Sequence, residues 1–265
     1  MNKLLADVRG IYATTFRLLA EPKVLKVHIV VGLIYGATIF MIFITIAVTA
    51  VLLGNIDFER LSAREAAVLA AIALILFFPV NFLISRLLHF AAAEQPRPRY
   101  FRDFRISRNE WVNAVLLLFL VVAISVVSTI SIDAPAEESI FELCTDLLVY
   151  SFFSSAVSIP ILISITVFAV HDPLGWVSAW HWLRQMFMPM FTAFLLLTVG
   201  GSFLSLPFEG AFANTDSGEG FNSVGDVAMF LSVVFLLLVM LMATFVLTFA
   251  LIAGGYRYWR ETYVP

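Results

Sequence analysis

Apolar positions in this chain come in long blocks rather than in short periodic runs. Six stretches, at about 27–54, 66–90, 111–132, 147–170, 187–208 and 227–254, are apolar almost throughout. A helix needs roughly 20 such residues, at ~1.5 Å rise each, to cross a hydrocarbon core of ~30 Å. Barrel strands fit poorly, because they are shorter and alternate between apolar and polar positions. The pattern predicts an all-α, polytopic transmembrane bundle of six helices, built as a single domain over residues 1–265.

Between the blocks the pattern becomes amphipathic. In residues 1–22, Leu4, Leu5, Val8, Ile11, Tyr12 and Leu19 fall near one helical face, while Lys3, Asp7, Arg9 and Arg17 fall mainly elsewhere. Such a helix suits the membrane interface, and Glu21-Pro22 ends it. Similar segments precede the third and fifth spans. Residues 97–110 mix arginines with aromatics, and residues 173–186 carry Trp176, Trp180 and Trp182. Tryptophan favours the headgroup layer and arginine can snorkel to it.

Each pair of spans is thus introduced by an interfacial segment. The even spans also end alike, in Phe90-Ala91, Phe168-Ala169 and Phe249-Ala250. Three αα-hairpins related by a parallel repeat would give this layout; so would the chance alignment of two abundant residue types.

Several features inside the spans point to close helix contact. Gly32 and Gly36 form a small-xxx-small pair, and Ser151, Ser154, Ser155 and Ser158 put hydroxyls into span four. The second span opens on a capping box, Ser62-x-x-Glu65, and an alanine-rich turn. Pro79 and Pro160 should bend spans two and four. Asn81, two residues after Pro79, could bond the carbonyl that the proline leaves without a donor, or line a polar path with Ser151, Ser154 and Ser158.

Composition agrees with the pattern: 61% of the residues are hydrophobic and 13% charged, against about 25% charged in ordinary soluble domains. Mean hydropathy is +0.96. The net charge of −3 conceals a sorting by loop. Of the 16 lysines and arginines, all but Arg60 and Arg64 lie on the side that holds both termini. By the positive-inside rule both termini are expected in the cytoplasm. The opposite loops, at 55–65, 133–146 and 209–226, hold most of the acids, and the last is rich in Gly, Ser, Asn and Asp, as flexible exposed loops are.

The first 26 residues are charged throughout, and no secretory leader is expected there. Cys144 is the single cysteine, which removes an internal disulfide and a cysteine metal cluster.

Catalytic chemistry is hard to find. A charge at mid-membrane is costly and marks function when present; none is expected here, with Arg86 near enough to the inner end of its span to snorkel. The sequences H-E-x-x-H, G-x-S-x-G and Walker A are absent. His28, His89, His171 and His181 all fall near the inner interface, where solvated imidazoles are the simpler expectation than a metal or haem site. No cofactor or metal is expected. Arg97, Arg99, Arg102, Arg105 and Arg108 could contact lipid headgroups or serve orientation alone. The basic surface is too small for nucleic acid.

Residues 168–197 carry Asp172, Gly175, Ser178, Ala179 and Trp180 ahead of span five. This stretch resembles a pattern in six-span bacterial inner-membrane proteins akin to the membrane domain of some glycerophosphodiester phosphodiesterases. The resemblance implies an inner-membrane module; no soluble phosphodiesterase domain accompanies it, so that activity does not transfer.

The expected function is that of a non-enzymatic scaffold, assembly or accessory component, with the bilayer and a membrane-protein partner or a second copy as its contacts. A transport permease is the alternative, since 173–189 is loosely similar to the coupling region of ABC importer permeases but lacks their Glu-Ala-Ala start. A lipid-acting enzyme using His171, Asp172 and His181 is the third.

Overall fold

The computed structural model describes residues 2–52, 63–93, 106–131, 140–170, 175–215 and 224–264. These residues form helices and their connections, with no strand among them: α1 (Asn2–Ala20), α2 (Pro22–Leu52), α3 (Ala63–Ala92), α4 (Arg108–Ser131), α5 (Ile140–Ala169), α6 (Trp176–Thr215) and α7 (Val224–Tyr263). Among the described residues, four segments are long and apolar enough to cross a membrane: Pro22–Ile42, Leu147–Ala169, Trp176–Gly201 and Leu238–Tyr263. Phe78–Ala92 is a shorter apolar stretch. The expected spans at 66–90 and 111–132 fall on α3 and α4.

The helices outrun the apolar blocks that predict them. The segment 173–186, expected as a separate interfacial helix, is continuous with the fifth span from Trp176 onward in the 40-residue α6. The expected loop at 209–226 is helical up to Thr215 and again from Val224. The C-terminal tail is helical to Tyr263. Hydropathy finds where a helix must be apolar, but backbone hydrogen bonding continues a helix into polar sequence wherever no breaker intervenes. Pro79 and Pro160 lie inside unbroken α3 and α5.

α3, α5 and α7 touch one another and form the middle of the bundle. Each outer helix rests in the groove between two of them: α2 against α3 and α7, α4 against α3 and α5, α6 against α5 and α7. Ala91, Ala169 and Ala250, the alanines of the three Phe-Ala pairs, are all buried. In lipid there is no hydrophobic drive between helices, so close packing of small side chains supplies the attraction. Gly32 and Gly36 serve that end on α2. A Cβ on Gly32 would stand 3.3 Å from the Phe245 ring, and one on Gly36 would stand 3.6 Å from Met242, both on α7.

α1 packs on α7, α6 and α2. Its buried face holds Asp7, Val8, Ile11, Thr14, Thr15 and Leu18, and Leu5 is exposed. Hydropathy set Leu4, Leu5, Val8, Ile11, Tyr12 and Leu19 near one face suited to the membrane interface and Asp7 mainly elsewhere; Val8 and Ile11 instead pack on the protein together with Asp7, while Leu5 does not. The burial of Asp7 follows from what α7 offers. At Gly254 the helices come so close that a Cβ would stand 2.9 Å from the Thr15 backbone nitrogen. The hydroxyls of Tyr258 and Tyr263 donate to the Asp7 carboxylate at 2.9 and 3.0 Å.

Candidate functional site

On α3, Asn81, Ser85 and His89 recur every four residues and so share one face, with Arg86 beside them. All four are buried. This stripe meets Glu110 and Asn113 of α4 and the C-terminal end of α5.

Its strongest contact joins Arg86 Nε to Glu110 Oε1 at 2.6 Å, with the two side chains 10% and 2% exposed. Arg86 therefore does not rely on snorkelling to water, as expected from its position; it is neutralised inside the bundle. The same carboxylate caps α4. Glu110 Oε2 accepts the Ser107 N–H at 2.6 Å, and Ser107 Oγ accepts the Glu110 N–H at 3.3 Å. This is a capping box, Ser107-x-x-Glu110, and the signal was present in the sequence. The box expected at Ser62 lies at the edge of the described residues, Ser62 itself outside them. One acid thus satisfies the N-terminus of one helix and the charge of another, which offsets the cost of taking both ions out of water.

One turn further into the bundle, Asn113 Nδ2 donates to Ser85 Oγ at 2.7 Å. Asn81 Nδ2 reaches across to the Ala114 carbonyl at a long 3.5 Å. Asn81 thus turns toward α4 and away from the carbonyl that Pro79 frees on its own helix. At the other end of the stripe, two carbonyls of the last turn of α5 find side-chain donors. His89 donates from Nδ1 to Ala169 at 2.9 Å, and Asn109 from Nδ2 to Phe168 at 3.3 Å. A helix end inside a membrane protein needs such partners, because water does not supply them.

Ser151, Ser155 and Ser158 share one face of α5 at i, i+4 and i+7, and with Ser154 beside them all are buried. Ser155 Oγ lies 3.3 Å from Thr198 Oγ1 of α6. Ser151 Oγ, Ser158 Oγ, Asn81 Oδ1 and Asn113 Oδ1 are buried without a hydrogen-bond partner.

The histidines part company. His28 is buried with Nδ1 against the Val24 carbonyl at 2.9 Å and Nε2 without a partner. His181 is exposed and His171 lies outside the described residues. Among the described residues no group of three or more His, Cys, Asp and Glu is placed to hold a metal.

The tryptophans part likewise. Trp176 and Trp180 are exposed, as headgroup residues would be, but Trp182 is fully buried. It stacks on Trp259 at 6.0 Å and meets Tyr256 edge-on at 5.2 Å, and Trp259 Nε1 donates to Gln185 Oε1 at 2.6 Å. Trp182, Met186, Met190 and Ala193 follow one inward stripe of α6, and Trp176 and Trp180 lie off it.

The remaining expected residues are quickly placed. Arg108 opens α4 and is exposed, while Arg97, Arg99, Arg102 and Arg105 lie outside the described residues, as does Asp172. Gly175 has φ of +49°, a left-handed conformation suited to glycine, and it leads into α6. Ser178 and Ala179 are buried.

The α1–α7 contact was not foreseen at all. Besides the two tyrosines on Asp7, Lys3 lies 5.2 Å above the Tyr263 ring, and Arg257 faces Glu21 at 3.7 Å. Tyr12 donates to the Ala193 carbonyl of α6 at 2.7 Å, and burial raises its hydroxyl above the usual tyrosine range.

In comparisons with known proteins, no family model, no curated sequence and no solved structure matches the chain.

Proposed function

We propose that the chain is a six-span inner-membrane protein, with both termini in the cytoplasm, that acts as a non-catalytic scaffold, assembly or accessory component. One observation carries this reading. Among the described residues, the ionisable groups of the α3–α4–α5 stripe are spent on holding it together: Arg86 on Glu110, Glu110 on the cap of α4, and His89 Nδ1 on the end of α5. A catalyst or proton carrier keeps such groups available to a substrate.

The three-hairpin repeat belongs to the same proposal. The central triad of α3, α5 and α7, with one outer helix in each groove, is the arrangement a parallel repeat of αα-hairpins would build. The suggested kinship with the membrane domains of glycerophosphodiester phosphodiesterases fits a module of this kind. Purification of the tagged chain in mild detergent tests the reading. A stoichiometric membrane-protein partner, identified by mass spectrometry, is the expected result. A chain that purifies alone and as a monomer would count against it.

A permease is the second reading, favoured by the unpartnered Asn81, Ser151 and Ser158 atoms inside the bundle. Buried polar atoms cost about 1–3 kcal/mol each when left unpaired, and a polar passenger would offset that. Flux of small polar solutes into proteoliposomes, abolished by Asn81→Leu, would bring this reading forward. An ATPase in the purified complex would do the same.

A further inference from the structure

The sequence shows α1 and the start of α2 as a mixture of bases and acids. The structure sorts them. Asp7 is buried under Tyr258 and Tyr263, and Glu21 faces Arg257. Both acids of this corner are therefore engaged with α7. Arg9, Arg17, Lys23 and Lys26 are exposed, and no carboxylate among the described residues pairs with them.

Their setting is apolar. Leu5, Arg9, Ala13, Phe16 and Arg17 fall on one face of α1, opposite the face docked on α7, and every one of them is exposed. Leu5 and Phe16 are 60% and 61% exposed, large apolar side chains with no protein over them. Lys23 and Lys26 stand at the foot of the outward strip of α2, which continues upward as Ile29, Val30 and Leu33. That strip begins a segment apolar and long enough to cross a membrane. Lys23 and Lys26 thus lie in the first turns of that apolar segment, and α1, with Arg9 and Arg17, immediately precedes it.

We propose that this corner is a binding surface for anionic phospholipid. Arg9, Arg17, Lys23 and Lys26 contact the headgroup phosphates, while Leu5 and Phe16 enter the acyl boundary. A helix with apolar and basic residues on one face binds this way. Charge complementarity selects the partner: four exposed cations against the one half-exposed acid among them, Glu21, which faces Arg257, favour an anionic over a zwitterionic headgroup. The docked face of α1 holds the surface rigid, so little ordering is lost on binding. The inference rests on the membrane reading of the chain and is independent of whether the protein is a scaffold or a permease.

The test is lipid titration of the purified full-length chain, followed by native mass spectrometry. Phosphatidylglycerol and phosphatidylcholine are compared at low ionic strength. The wild-type chain retains phosphatidylglycerol in preference, and each cation removed lowers that preference about five-fold. Arg9→Gln with Arg17→Gln, and Lys23→Gln with Lys26→Gln, each lower it in part; the four together abolish it. High salt erases the wild-type preference, a readout that needs no variant to fold. Inorganic phosphate does not compete. Three outcomes overturn the proposal: no preference in the wild type, a preference undiminished in the double variants or in high salt, and competition by inorganic phosphate, which would mark a site for the free anion.

Discussion

At the scale of single residues, Glu110 carries the heaviest duty. It neutralises Arg86 and caps α4 with one carboxylate. Glu110→Gln would leave the guanidinium buried beside a neutral amide. Removing one partner of a buried pair typically costs about 3–5 kcal/mol, whereas replacing both by apolar groups costs little. The expected result is a large loss of thermal stability in detergent for Glu110→Gln. A smaller loss is expected for Glu110→Gln combined with Arg86→Met, and a double-mutant cycle on melting temperature measures the difference.

Gly175 gives a second, milder case. Its φ of +49° suits glycine, and a Cβ there would also stand 3.5 Å from the Phe168 ring. Gly175→Ala should therefore destabilise by about 1–2 kcal/mol, from backbone strain more than from contact. Chemical denaturation in mixed micelles would show it; an unchanged midpoint would mean that the turn relaxes.

At the scale of the helix, α1 decides between two pictures. If it were only an interfacial helix, its attachment would depend on lipid alone. Its docking on α7 through Asp7, Thr15 and Gly254 makes it part of the bundle. Asp7→Leu removes the acceptor of Tyr258 and Tyr263. Gly254→Leu drives a side chain into the Thr15 backbone. Either change should raise hydrogen exchange across residues 2–20 by about ten-fold or more while leaving α3, α4 and α5 protected, since local opening reports local ties. Uniform protection in both variants would return α1 to the lipid.

Element scale is also where the limits of reading the sequence are plainest. The helices were legible because apolar runs of this length allow little else. Their ends were not, because the Trp176 turn and the Arg257 turn are polar yet remain helical. The docked face of α1 was not readable, because Asp7 looks like a solvent residue until Tyr258, 251 positions away, is placed beside it. Arg86 was located correctly near its helix end, but its partner lies 24 residues on, and no periodicity links the two. Ser107-x-x-Glu110 could have been found from the motif alone. Trp182 could have been separated from Trp176 and Trp180 by following the α6 stripe through Met186 and Met190.

At the scale of the whole molecule, the proposed six-span topology has a sidedness. If each of α2 to α7 crosses the membrane, both termini share one side, and the exposed cations of the α1 corner make that side the basic one. A chain with Cys144→Ser, carrying one new cysteine in place of Lys3 or Val264, tests the orientation. Neither cysteine should react with an impermeant maleimide added to intact cells, and both should react after the membrane is opened. Labelling from outside would reverse the topology.

The contact between α1 and α7 also bears on the order in which the protein is made. Of the described helices α1 leaves the ribosome first and α7 last, so the part of α1 that docks on α7 through Asp7 and Thr15 lacks its mate through most of synthesis, while α2 and α6 supply only its other contacts. During that interval the nascent helix must rest on the bilayer or on a chaperone, and its final turn into place closes the molecule. Assembly therefore has to join two helices whose Asp7 and Tyr258 lie 251 residues apart, and a nascent chain halted before α7 should keep α1 open to protease.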